Sequence, residues 1–190
     1  MTTGTDVHGI PSVDEWARNN DCAIENVEAV KPISAAMLDG QSVGVAITDT
    51  VDAAPPWPVT LWLRPRVLVL GVGCKRGVSK ESLELAAEDF LSGAGVSPHS
   101  LKAVASIDLK SQEPGLLAFC REHGLPLLTF SAEVLCKVEG TFSSSPKVLE
   151  TTGVDNVCER AAVLAAGGGA LLRSKTIYPG ITLALARIKR

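Results

Sequence analysis

Hydrophobic residues are distributed in two different ways along the chain, and the change falls near Arg66. Beyond it, unbroken apolar runs alternate with segments whose apolar residues recur every three or four positions. VLVLGV, residues 67–72, is the kind of run expected of a strand buried on both faces of a parallel sheet. Ser79 then caps a helix with Leu83, Ala86, Ala87, Phe90 and Leu91 on one face, and Gly93 stops it. Ala103 to Ile107 predicts a second strand. Pro114 sits in the first turn of a helix ending at Gly124. Pro126 to Phe130 predicts a third strand, and a short helix starts near Ser131. Asp155 is the expected cap of a helix carrying Val157, Ala161, Ala162, Leu164 and Ala165, which three glycines stop. Two strands close the chain, 170–177 and 181–188, joined at Pro179-Gly180 by a type II turn. Strands alternating with helices imply right-handed crossovers and a covered sheet. The predicted fold is a three-layer α/β/α domain with a mixed, mostly parallel sheet, preceded by a smaller α/β region.

The earlier stretch is more broken. Ser12-Val-Asp-Glu15 has the form of a capping box and opens a helix reaching Asn19. Asn26 starts a second helical stretch through Val27, Val30 and Ala35, kinked at Pro32 and ended by Gly40. Ser42 to Ile47 predicts a strand. TDTVDAAPPWPV follows, and its three prolines read as an extended linker. Two units are expected, residues 1–65 and residues 66–190.

Composition narrows the class. Hydrophobic residues make up 46% and charged residues 21%, ordinary for a globular protein, while aromatics are only 4%, so Val, Leu, Ile and Ala must build the core. No apolar run approaches the ~18 residues of a membrane span, and the N-terminus lacks the basic and apolar regions of a signal peptide. Five cysteines with no CxxC pair fit a reducing cytoplasm better than a disulfide framework. His8, His99 and His123 are scattered without metal-ligand spacing, so no metal site is expected. Charge is uneven: residues 1–65 carry a net −6 and residues 66–190 a net +3. The second part suits an anionic small molecule. It is too weakly basic and too poor in aromatics for nucleic acid.

The strongest local pattern is Gly71-Val-Gly73-Cys74-Lys75-Arg76-Gly77, between the first strand and its helix. Open α/β folds bind ligands at such strand ends, where glycines admit an anion to backbone N–H groups. It is neither a Walker A loop nor GxGxxG. A tight turn with two solvated cations remains the plain alternative. Ser106, Asp108 and Lys110 alternate at the end of the second strand with Glu113 just beyond, and Ser131 ends the third. These positions should share an edge with the glycine loop. An exposed ion pair and a helix cap are the plain readings of Asp108 with Lys110 and of Ser131. Cys74, beside two cations and ahead of a helix, has the setting that lowers some thiol pKa values, although a small residue in a tight loop is the more ordinary reading. Gly153 precedes another helix start, and Lys175 shares a strand face with Arg173. No histidine neighbours any of these serines in sequence, so a Ser-His-Asp triad has no support.

Taken together, LGVGCKRGVS (70–79), ASIDLKSQEPGL (105–116), LPLLTFSAEVL (125–135), TGVDNVCERAAVLAAG (152–167) and LLRSKT (171–176) resemble the C-terminal domain of the CbiG family, the cobalt-precorrin-5A hydrolases. They occur in the family's order and span nearly all of residues 66–190; the CobE proteins look like the same domain standing alone. TTGTDVHGIPSVDEWARNN (2–20) and IENVEAVKPISAAMLDGQSVGV (24–45) are similar to the family's central region, with Gly4 and His8 departing from its usual TTATDVNG. The resemblance implies that the family's N-terminal domain is absent here. It implies a role in the anaerobic route to cobalamin: opening the δ-lactone of cobalt-precorrin-5A and releasing acetaldehyde. The alternative is a corrinoid-binding or carrier module without chemistry. No cofactor is expected, cobalt entering only as part of the substrate. The implied partners are that substrate, the N-terminal domain or other cobalamin-pathway enzymes, with neither nucleic acid nor membrane. Whether the chain alone is an enzyme stays open. The binding-surface candidates are Gly71, Gly73, Cys74, Lys75, Arg76, Gly77, Ser106, Lys110, Glu113, Ser131, Gly153 and Lys175.

Overall fold

The structure, a computed structural model, describes residues 13–25, 40, 42–51 and 54–189. They form two compact units: one reaches Arg66 and includes Gly95–Ser100, and the other comprises Val67–Ala94 and the chain from Leu101 onward.

In the first unit, helix α1 (Val13–Asn19) has the predicted bounds, and strand β2 (Val43–Ile47) lies where the alternation put it. The helical stretch expected from Asn26 lies outside the described residues. Two strands were not foreseen: β1 (Cys22–Ile24), too short to show a period, and β3 (Val59–Pro65), which directly follows the prolines. β3 is the centre of a three-stranded sheet, antiparallel to β1 and parallel to β2. Leu61 and Leu63 of β3 and Ala17 of α1 make its small core. The proline stretch therefore connects two strands of one sheet. Arg64, only 4% exposed, pairs with Glu25 and donates to the carbonyls of Thr48 (3.1 Å) and Thr50 (2.6 Å). A buried guanidinium with several acceptors satisfies its own donors and fixes the start of that connection.

The second unit contains, in order, β4 (Leu68–Cys74), α2 (Lys80–Ser92), β5 (Leu101–Ile107), α3 (Pro114–Glu122), β6 (Leu127–Phe130), α4 (Ala132–Cys136), α5 (Pro146–Thr152), α6 (Val157–Ala165), β7 (Leu171–Tyr178) and β8 (Ile181–Arg187). The sheet order is β6-β5-β4-β8-β7. β4, β5 and β6 run parallel, while the β7–β8 hairpin adds antiparallel pairs, giving the expected mixed sheet. Helix α2 buries Leu83, Ala86, Ala87, Phe90 and Leu91, as its period requires, and packs beside α3 on one face.

On the other face α6 lies across β4, β5 and β8. Its seat is made of small residues: Gly71 stands opposite both Ala105 and Ala184, and Val69 opposite Ala186. α6 answers with Cys158, Ala161 and Ala162, all buried. A Cβ on Gly71 would come within 1.9 Å of the Cys158 carbonyl oxygen, so this glycine is a packing requirement. The cap of α6 is Asn156 rather than Asp155: its Oδ1 accepts the Glu159 N–H at 2.9 Å. Asp155 accepts from Arg160 Nε at 2.9 Å. Either side chain suits the cap position, and the sequence offers both.

Candidate functional site

β4 and β5 both end at one edge of the sheet, and α6 begins beside it. The carbonyl ends of parallel strands leave a crevice there because their connections turn away to opposite faces. In the second unit this crevice is a cavity of about 710 Å³. Its floor is apolar, made by Ile107, Val157 and Ile181, each almost fully buried. One wall is α5 with the preceding Ser145, the helix contributing Val148, Thr151 and Thr152. Four cations line it: Lys75 and Arg76 after β4, Lys110 after β5, and Lys175 on β7. Asp155 is the lining carboxylate, and Arg160 already holds it. The cavity therefore combines an apolar base with excess positive charge, which raises the local concentration of anions.

Of the residues singled out in the sequence, Gly73, Cys74, Lys75, Arg76, Lys110 and Lys175 meet at this cavity. The others stand elsewhere and have visible structural work. Gly71 seats α6. Ser106 is fully buried and donates to the Val72 carbonyl at 2.7 Å, tying β5 to β4. Ser131 caps α4, accepting the Val134 N–H at 3.3 Å. Gly153 ends α5, and its carbonyl accepts from the Cys136 thiol at 3.4 Å.

Glu113 is 6% exposed; one oxygen accepts the Gly77 N–H at 2.8 Å and the other meets Lys110 Nζ at 3.4 Å. Glu113 thus braces the glycine loop from behind and aims Lys110. The Lys75 N–H is also committed, donating to the Gly180 carbonyl at 2.9 Å. With these amides engaged, the loop offers the cavity its two cationic side chains.

Cys74 does not have the electrostatics of a nucleophile. Burial pushes its thiol up to about 11, against the opposing pull of Lys110, so it stays protonated at neutral pH. Burial likewise holds Cys158 at about 11.

The sequence reading missed Glu159, Asn156 and Tyr178. Glu159, 1% exposed, accepts from Ser143 N (2.9 Å), Ser143 Oγ (3.2 Å), Asn156 Nδ2 (2.5 Å) and Lys175 N (2.6 Å). A buried carboxylate needs such partners. Its effect is to fix Lys175 and the segment before α5 against the start of α6. An acidic residue in a helix first turn was the available signal. Tyr178 donates to Asp89 Oδ2 at 2.8 Å; partial burial first, and this bond second, push its phenol up to about 12. Among the described residues no three His, Cys, Asp or Glu side chains cluster as metal ligands, and no helix is long and apolar enough to cross a membrane.

Comparison with known proteins assigns both parts of the chain. A family model described as cobalamin synthesis G C-terminus matches residues 68–186, and one described as cobalamin biosynthesis central region matches residues 11–55. A cobalt-precorrin-5A hydrolase of Priestia megaterium is 25% identical over 229 aligned residues, covering 99% of this chain and 61% of that protein. Protein CobE of Sinorhizobium sp is 37% identical over 122 residues, covering 63% of this chain and 79% of that protein. The crystal structure of a CobE from the cobalamin (vitamin B12) biosynthetic pathway superimposes with a TM-score of 0.61 at 37% identity, over 66% of this chain and 92% of that one. The chain thus spans about three fifths of the hydrolase it matches.

Proposed function

The chain belongs to the cobalamin biosynthesis G family, and from that premise we propose that its second unit holds a cobalt-precorrin for the hydrolase step, cobalt-precorrin-5A being the substrate. The carrying observation is the cavity: Lys75, Arg76, Lys110 and Lys175 around an apolar floor. Cobalt-precorrins are apolar macrocycles edged with acetates and propionates. Cations at the rim, Lys110 and Lys175 half-buried and Lys75 and Arg76 exposed, make charge-assisted hydrogen bonds to such carboxylates, and the floor accepts the ring. Cobalt enters with the substrate, and no other cofactor is invoked.

The reaction adds water to the lactone carbonyl carbon and breaks the ring C–O bond, freeing an alcohol. As that alcohol loses its proton and becomes a carbonyl, its C–C bond to the macrocycle breaks, the electron pair passes into the macrocycle, and the extruded carbon leaves with its methyl as acetaldehyde. It needs a group to take the proton of water and donors to stabilise the oxyanion. Lys110 or Lys175 suits the second role. For the first, the cavity offers no group in a suitable state. Its thiols are held protonated, Asp155 is tied to Arg160, and of the described histidines His99 belongs to the first unit while His123 follows α3 beside Glu84. The proton-accepting group therefore comes from outside this cavity. The N-terminal region of the hydrolases is its proposed source and this chain's proposed partner.

A second reading, a corrinoid carrier without chemistry, is favoured by the match to CobE, of which the chain covers 79%. Acetaldehyde release from cobalt-precorrin-5A separates the two. The hydrolase reading expects no release by this chain alone and release once the family's N-terminal domain is added in trans. The carrier reading expects none in either case. Full-rate turnover by the chain alone would refute the assignment of proton transfer outside the cavity.

A further inference from the structure

Two large apolar side chains stand at the mouth of the cavity and are mostly open to solvent: Leu109 is 65% exposed and Ile177 73%. Single exposed leucines and isoleucines are ordinary on protein surfaces. These two differ in position. Leu109 lies in the turn Asp108–Lys110 that follows β5, and Ile177 lies near the end of β7. Between β5 and β7 run β4 and β8, so three strand spacings of ~4.8 Å separate them, roughly 14 Å. Ile107, two residues before Leu109, is a buried floor residue, and Ile177 stands opposite Thr182, which lines the cavity on the α6 side with buried Val157. Leu109 and Ile177 therefore end an apolar strip that Ile107 and Val157 continue, with Lys75, Arg76 and Lys110 along it and Lys175 on β7.

Resting on the proposed function above, we infer that Leu109 and Ile177 are the specificity contacts for the flat face of the macrocycle, which lies across the mouth from one to the other. A small free anion would use the cations and leave the strip wet. A plain acyl chain would use the strip and leave the cations unpaired. A ring of four linked pyrrole-type units is on the order of 10 Å across at about 1.5 Å per bond, which fits between the two side chains. Its peripheral carboxylates then fall toward the four cations. Affinity for the ring comes from the strip, and preference for the acidic form comes from the cations.

The test uses the whole chain and two corrinoids followed by their absorbance: cobyrinic acid, with free side-chain carboxylates, and dicyanocobinamide, whose side chains are amidated. Leu109→Ser with Ile177→Ser should weaken both probes at least about tenfold, the loss expected when two such contacts leave an apolar interface. Lys75→Ala with Arg76→Ala should weaken the acid and spare the amidated probe. Both replaced leucine and isoleucine positions are exposed, so the thermal midpoint should hold. Each single change is measured too, with about a threefold loss expected. If the acid binds, the lysine–arginine variant loses it, and the folded Leu109/Ile177 variant binds both probes like the unchanged chain, this inference fails and the proposed function stands. If the unchanged chain binds neither probe, both fail.

Discussion

Gly71 and Cys74 show how differently residues of one apparent motif are employed. Gly71 touches no ligand space, because α6 rests directly on it. Gly71→Ala should therefore destabilise the second unit by about 2 kcal/mol or more, since the colliding atom is backbone and cannot rotate away. A fall in urea midpoint checks this; an unchanged midpoint would mean that α6 is not seated there. Cys74 makes the opposite point. Its two neighbouring cations were visible in sequence, but its burial was not, and burial decides its pKa. At pH 8 exposed Cys136 should react rapidly with a disulfide reagent while Cys74 and Cys158 lag far behind. Fast labelling of Cys74 would contradict its assignment as a protonated thiol. That Lys75, Arg76 and Lys110 would stand at one sheet edge was legible because each follows an apolar strand, whereas Lys175 lies within β7 and was marked only by its strand face. Ser106 and Glu113 were not separable from them, because their partners, Val72 and Gly77, lie more than thirty residues away in sequence.

The β7–β8 hairpin ties a turn to the cavity. Gly180 has φ +76°, and a Cβ there would stand 2.7 Å from both Cδ and Cε of Lys75. Gly180→Ala should cost about 1 kcal/mol through backbone strain. It should also displace the Lys75 stem, so corrinoid affinity falls with it. Lost stability with unchanged affinity would show that Lys75 does not reach the ligand. Helix α6 carries a pH dependence. The folded-state pKa of Cys158 is raised by burial, from 9.0 to about 11. Its contribution is fully present below about pH 9 and is lost as pH climbs through 11, because the unfolded chain releases its proton first. The loss is on the order of 2 kcal/mol for this thiol. Urea midpoints at pH 8.5 and 10.5 should show it, and Cys158→Ala should shrink the difference without abolishing it, because burial raises Cys74 in the same way. Elements with a long period or an unbroken apolar run were readable, including the buried face of α2. β3 was hidden by its flanking prolines, and β1, α4 and α5 are too short for periodicity to mark their bounds.

For the whole molecule, the change of pattern near Arg66 coincides with a division of the fold, yet Gly95–Ser100 belongs to the first unit, and nothing local in PHS or its neighbours announces that. Trp16, Trp57 and Trp62 all lie in the first unit, so ligand binding to the second is best followed through the corrinoid itself. Family membership rests on ordered segments across both units, while the ligand's place rests on the cavity alone. The measurement that decides the account is a titration of cobyrinic acid into the unchanged chain and into the Lys75→Ala, Arg76→Ala variant. Lys75 and Arg76 are exposed in the free chain and the proposed ring covers them; losing one such charge-assisted contact costs about 1.5–3 kcal/mol, so affinity should fall at least about tenfold while thermal stability holds. Equal affinity in a folded variant would contradict the claim that this cationic cavity is where the substrate's carboxylates bind.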